Sequence, residues 1–96
     1  MSNDLLLLKN LGKTSVLWLH AVGIRTVDEL RNRGSAGAYM AVCARGFRTS
    51  KVLLYALEGA LLNIHWNELT PQHKQALLAQ ARALAQEHEI AHKLRS

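Results

Sequence analysis

Two short stretches of this chain carry residue types at spacings that could do chemistry. The first is Gly12-Lys13-Thr14, which follows Asn10 and Leu11 where an apolar run, Leu5 to Leu8, stops. Asn10 and Gly12 tolerate positive φ, as a tight turn between helices requires. A helix that starts after such a turn presents the free N–H groups of Gly12, Lys13 and Thr14 to an anion, and the missing side chain at Gly12 lets a phosphate oxygen approach the backbone. Lys13 adds a mobile positive charge. The same pattern also describes an ordinary helix turn with an exposed lysine, found in many helical proteins that bind nothing.

The second stretch, His88-Glu89-Ile90-Ala91-His92, matches the H-E-x-x-H pattern in which two histidines one helical turn apart hold zinc and the glutamate is a general base. A zinc enzyme also needs a third protein ligand, a cleft and usually a strand to align its substrate. Only Lys93 to Ser96 follow, and no strand pattern is evident. Gly12-Lys13-Thr14 lacks the upstream glycine and preceding strand of a nucleotide-binding loop. Nothing positions Ser, His and Asp as a triad, and the carboxylates are too scattered for paired acid–base work. No catalytic residue, metal site, cofactor or small-molecule substrate is therefore expected, and the chain reads as non-enzymatic.

Helices must position whatever these residues do. Leu and Ala are abundant, aromatic residues make up 5% and the one proline is Pro71, a mix that favours helices over strands. Apolar periodicity and turn residues predict helices at about 4–9, 14–21, 27–33, 36–45, 50–64 and 71–94, the first of them marginal. Thr14 or Ser15, Thr26, Ser35, Thr49 or Ser50, and Thr70 are the expected N-caps, with Pro71 at the first helical position. Gly23 and Gly34 close the helices before them, and Ile24 is expected to fold back onto the core. Asp28 and Glu29 open one helix and Arg31 and Arg33 end it, as the helix dipole favours. The helix from Ser50 to Ile64 is apolar on most sides and so belongs at the centre of the bundle. Beyond Ala85 the stripe weakens, and fraying is expected from about residue 86. Trp66, in the turn that follows Ile64, reads as a cover for the core; a stacking surface for bases is the sharper alternative for Trp66 or Trp18, but neither sits among basic residues in the sequence.

Ninety-six residues make one domain, residues 1–96, with a single core. No stretch is long and apolar enough to span a membrane and no signal peptide opens the chain, so a cytoplasmic location and no membrane partner are expected. Cys43 cannot form an internal disulfide, and its neighbours Val42 and Ala44 suggest a small buried hydrophobe. The net charge of +5 is unevenly placed. Residues 1–51 hold eight bases (Lys9, Lys13, Arg25, Arg31, Arg33, Arg45, Arg48, Lys51) against three acids (Asp4, Asp28, Glu29), whereas residues 52–96 hold four of each. The excess coincides with the Gly12 turn and the loop around Gly46, as in a partial nucleic-acid footprint; solubility alone accounts for a charge of this size equally well.

The order LKNLGKTSVLWLHAVGIRTVDEL, then LLYALEGALLNIHWNEL, then PQHKQALL resembles the C-terminal domain of the TfoX/Sxy family, bacterial regulators of competence for DNA uptake. The resemblance covers roughly Leu5 to Leu78. It implies an all-helical domain, helix-hairpin-helix-like in its first half and similar to the C-terminal domain of the RNA polymerase α subunit. It also implies a part in activating competence genes together with a cyclic-AMP receptor protein. DNA-binding hairpins commonly read L-P-G-I-G; here Lys9 and Asn10 stand where the proline and first glycine would be. Family regulators commonly carry a separate N-terminal α/β domain, so this chain is expected to be an excised domain or a stand-alone member.

The sequence thus predicts an all-α bundle of five to six helices whose first half uses Gly12, Lys13, Thr14 and Arg25 to meet DNA phosphate or an acidic protein surface. The alternative role is that of an adaptor docking on RNA polymerase or a cyclic-AMP receptor protein, without direct DNA contact.

Overall fold

Helices in this protein begin and end where apolar periodicity gives way to turn residues. The computed structural model describes residues 4–95, with side chains through Glu87, so the side chains of His88 and His92 lie outside the described residues. Five α-helices follow one another: α1 (Lys13–Ala21), α2 (Val27–Arg33), α3 (Ser35–Ala44), α4 (Lys51–Leu62) and α5 (Pro71–Arg95). The expected first helix is only a 3-10 turn, Asp4–Leu7, and a second 3-10 turn spans Trp66–Glu68. No strand occurs among the described residues.

Several caps are where the side-chain chemistry puts them. Thr26 accepts from the Glu29 N–H at 3.1 Å, and Thr70 accepts from the His73 N–H at 3.1 Å, each holding a first-turn donor that the helix cannot satisfy. Others differ. Gly12, not Thr14 or Ser15, is the N-cap of α1, and no side chain caps that turn. Gly34 is the N-cap of α3 at φ 78°, and Ser35, one residue inside, donates its hydroxyl to Glu58 Oε1 at 2.8 Å instead. A buried hydroxyl beside a carboxylate gains more from that bond than from a local backbone donor. α4 stops two residues before Ile64 because Asn63 turns left-handed, φ 59°.

The apolar interior forms two linked regions, with α4 between them. Leu53, Ala56, Leu57 and Ala60 face the first, alongside Leu5, Leu11, Val16, Leu19, Ile24, Leu30, Ala38 and Val42. Leu54 faces the second, with Ala36, Leu69, Leu77 and Ala81. α4 is therefore central because its neighbours occupy both sides, as its nearly continuous apolar surface requires. α3 packs against α2, α4 and α5, and the Trp66–Glu68 turn packs back onto α4.

A long-range clamp fixes the entry to α1. Asn10, at φ 73°, donates from Nδ2 to the Ile64 carbonyl at 2.9 Å and to the Ala56 carbonyl at 3.4 Å, and its Oδ1 accepts from the Trp66 N–H at 3.2 Å. With Ile64 and Trp66 the side chain satisfies backbone groups just past the end of α4 that the helix does not reach. Asn10 thus does in this turn what proline and glycine do elsewhere by conformation alone.

Candidate nucleic-acid interface

Gly12 follows the clamped Asn10 and the buried Leu11 in extended conformation, φ −101° and ψ −177°. Positive φ belongs to Asn10 and not to Gly12, so the glycine is not required by backbone geometry. A Cβ at Gly12 would meet no atom within 4 Å, which makes the position open to solvent rather than to the protein. Gly12, Lys13 and Thr14 are all exposed, and the absence of a side-chain cap leaves the first-turn N–H groups of α1 facing outward. These three residues therefore form one accessible turn with its helix start uncapped.

Arg25 lies elsewhere. It follows the other end of α1, and a helix of nine residues is about 14 Å long, so Arg25 and Gly12 cannot grip a single phosphate. Its N–H is donated to Glu29 Oε1 at 2.9 Å. The acids of the first half gather there too: Asp28 pairs with Arg31 at 3.6 Å, Glu29 is held by Thr26, and Asp4 Oδ2 accepts from the Val27 N–H at 3.3 Å. The start of α2 is consequently the least positive part of the basic half, and the Gly12 turn carries no acid in its own sequence.

The fold also brings together residues that the sequence separates. Trp18 of α1 stacks on Phe47, ring centroids 5.6 Å apart and planes at 27°, and this pins the loop between α3 and α4 against α1. Trp18 and Arg48 then line one groove of about 520 Å³. The expectation that neither tryptophan lies among basic residues holds along the sequence but not in space. Trp66 is half-buried: it lies 6.3 Å from Tyr55 at 19°, and Tyr55 in turn packs against the second core region, with the Lys74 ammonium 5.4 Å from the Trp66 ring centre. Trp18 thus has one aromatic partner within the fold and Trp66 has two, Tyr55 and His65.

Among the described residues the other polar side chains do not form a hydrolytic arrangement. A depression of about 580 Å³ lies between the start of α3 and α5 and includes Ser35 and Glu58. Glu58 accepts from Ser35 with one oxygen, and its other oxygen lies 2.7 Å from His73 Nε2. The carboxylate stands between serine and histidine, so the imidazole cannot take the serine proton as a triad requires. Among the described residues no group of three or more His, Cys, Asp or Glu side chains could hold a metal, and no helix is long and apolar enough to cross a membrane. Cys43 is only half-buried, its Sγ 3.4 Å from Thr49 Oγ1, rather than a fully enclosed apolar residue.

Comparison with known proteins places this geometry among relatives. The sequence pattern described as the TfoX C-terminal domain matches residues 1–81. The triclinic crystal structure of an uncharacterised protein from Listeria monocytogenes superimposes with a TM-score of 0.76 at 33% identity, over 84% of this chain and 92% of that one. A protein of unknown function from the same organism, in a tetragonal form, gives a TM-score of 0.72 at 34% identity, over 80% of this chain and 95% of that one. No curated protein matches the sequence.

Proposed function

Because the chain belongs to the TfoX C-terminal domain family, we propose that it is a non-enzymatic regulatory module of the competence type, acting in transcription activation through weak contact with the DNA backbone. The Gly12 turn carries this reading: an uncapped, exposed helix start with Lys13 beside it, in the basic half of the chain. Gly12, Lys13 and Thr14 supply the contact, and Arg25 is an outlying fourth member at the far end of α1. Backbone N–H groups and a lysine recognise phosphate without reading bases, so the contact positions the protein and leaves sequence choice to a partner such as a cyclic-AMP receptor protein.

Titration of duplex DNA at two salt concentrations tests this. Binding is expected at Kd on the order of 10⁻⁴ to 10⁻⁶ M near physiological salt, and about three neutralised phosphates give a slope of log K against log salt near −3. Lys13→Glu should weaken binding to every sequence alike. Gly12→Val should do the same while leaving the fold intact, because the added side chain meets nothing in the protein. No binding by the wild type at about 50 mM salt, where phosphate contacts are strongest, rejects the proposal.

A second reading has its own observation. Leu7 is 84% exposed and Leu17 66%, on either side of the Gly12 turn, with Leu6 at 39%. Apolar side chains left bare beside a basic turn suit an adaptor that docks on RNA polymerase or a receptor protein. Leu7→Ser/Leu17→Ser should abolish capture of the purified partner and leave DNA binding unchanged if docking is the primary role.

A further inference from the structure

The basic excess of this chain is not confined to the Gly12 turn, and the fold determines where the rest of it stands. Phe47, stacked on Trp18, holds the segment from Arg45 to Ser50 alongside α1. Arg48, Thr49 and Ser50 form one wall of the groove of about 520 Å³, and Asn10, Ser15 and Trp18 form the other. Lys51 adjoins the first wall in sequence, and Lys9 and Lys13 adjoin the second. Arg48, Lys51, Lys9 and Lys13 are exposed, and among the described residues none of them has an ion-pair partner. No acid lines the groove. Arg25, by contrast, sits where Asp4, Asp28 and Glu29 gather.

From this we infer that duplex DNA held at the Gly12 turn also meets the opposite wall, with Arg48 and Lys51 neutralising two of the about three phosphates counted above, so that the footprint straddles the groove between α1 and α4. The inference rests on the DNA reading above and deepens it. Charge complementarity selects the occupant: a groove lined by Arg48 and by no acid, with exposed Lys9, Lys13 and Lys51 next to its lining residues in the chain, suits a polyanion. Hydroxyls such as Ser15, Thr49 and Ser50 are ordinary donors to phosphate and sugar oxygens. The arginine that lines the groove is then Arg48, while Arg25 stays outlying at the far end of α1.

The test is a fluorescence-anisotropy titration of the full chain with a random-sequence duplex at about 50 and about 200 mM salt, the range over which neutralised phosphates are readily counted. The variants are Arg48→Ala/Lys51→Ala, Lys13→Glu, and a charge-matched control, Arg31→Ala/Arg82→Ala, each checked for fold by circular dichroism. The Arg48/Lys51 pair should make the salt slope shallower by about 1.8, that is about 0.9 for each phosphate left without its cation. The control should leave both slope and affinity unchanged. If Lys13→Glu weakens binding while the Arg48/Lys51 pair matches the wild type, the straddling footprint is wrong and the Gly12 contact stands. If only the Arg48/Lys51 pair weakens binding, the α4 wall stands and the Gly12 contact falls. If the control weakens binding as much as the pair, net charge alone is responsible and the inference is rejected. If the wild type does not bind, the DNA reading fails and this inference with it.

Discussion

The Asn10 side-chain nitrogen lies 2.6 Å from the position a Cβ on Gly59 would occupy. Gly59 is buried in the last turns of α4, and the same Cβ would stand 2.8 Å from the Ile64 carbonyl oxygen. A glycine at this point of a helix is costly in itself, yet only a glycine admits the amide that joins the start of the chain to the end of α4.

Gly59→Ala is therefore expected to destabilise the domain by about 1–3 kcal/mol, the usual cost of forcing an extra methyl into a filled site, despite alanine's better helix propensity. Asn10→Ala should cost a similar amount, about 1–3 kcal/mol, by leaving the Trp66 N–H and the Ile64 carbonyl without their partner. The double variant should cost less than the sum, since both changes break the same clamp. Urea unfolding of all four proteins measures this; full additivity would show that the two residues act separately.

Gly12→Asp should move stability and binding in opposite directions. A carboxylate at an uncapped helix start satisfies a free N–H and complements the dipole, for a gain of a few tenths of a kcal/mol up to about 1. The same charge should repel phosphate and abolish duplex binding. Thermal melting and a DNA titration on one sample read both effects.

Trp66→Ala should cost about 1–2.5 kcal/mol, built from the Tyr55 pair at about 0.5–1.5 and the Lys74 cation–π contact at about 0.5–1 kcal/mol. A fully buried tryptophan would cost about 3–5 kcal/mol. Denaturant unfolding distinguishes the two, and a loss in the higher range would mean that Trp66 is packed into the core after all.

Tyr39 contributes to the pH dependence of stability on the alkaline side. Burial, reinforced by the neighbouring Cys43, raises its phenol above the usual value of 10.0. The folded chain then keeps a proton that the unfolded chain releases, so this contribution is whole below about pH 10 and is lost as pH rises toward the folded value. Tyr39→Phe should flatten the fall in stability above pH 10 relative to the wild type. Denaturant midpoints across pH 9 to 11, bracketing the tyrosine value near 10, provide the measurement.

Features that depend on a few consecutive residues were legible in the sequence. Thr26 and Thr70 cap as their hydroxyls dictate, Gly23 and Gly34 adopt φ 86° and 78° at helix ends, and Ile24 is buried. The central place of α4 follows from its apolar surface. What escaped was set by partners far along the chain. Periodicity says which face of a helix is buried, but not that Ser35 faces Glu58 or that Trp18 faces Phe47. The departure at Asn10 was visible as an unusual residue in the turn; its partners at Ala56, Ile64 and Trp66 were not, because nothing local encodes a contact across more than forty residues. Likewise the charge excess could be counted from sequence, whereas the separation of Arg25 from Gly12 and the approach of Arg48 to α1 needed the packing of α1, α3 and α4.

The Asn10 clamp also orders events in time. Its partners lie 46 to 56 residues downstream, and at about 5–20 residues per second a ribosome takes about 3 to 11 s to deliver the last of them. Through that interval the N-terminal turn has been made but has nothing to hold it. A contact of such sequence separation pays its loop-closure entropy before it yields any stability, so it is formed late in refolding as well. Breaking it should therefore quicken unfolding and leave the folding rate nearly unchanged in stopped-flow measurements. The uncapped start of α1 acquires its final orientation only after the second half of the domain exists.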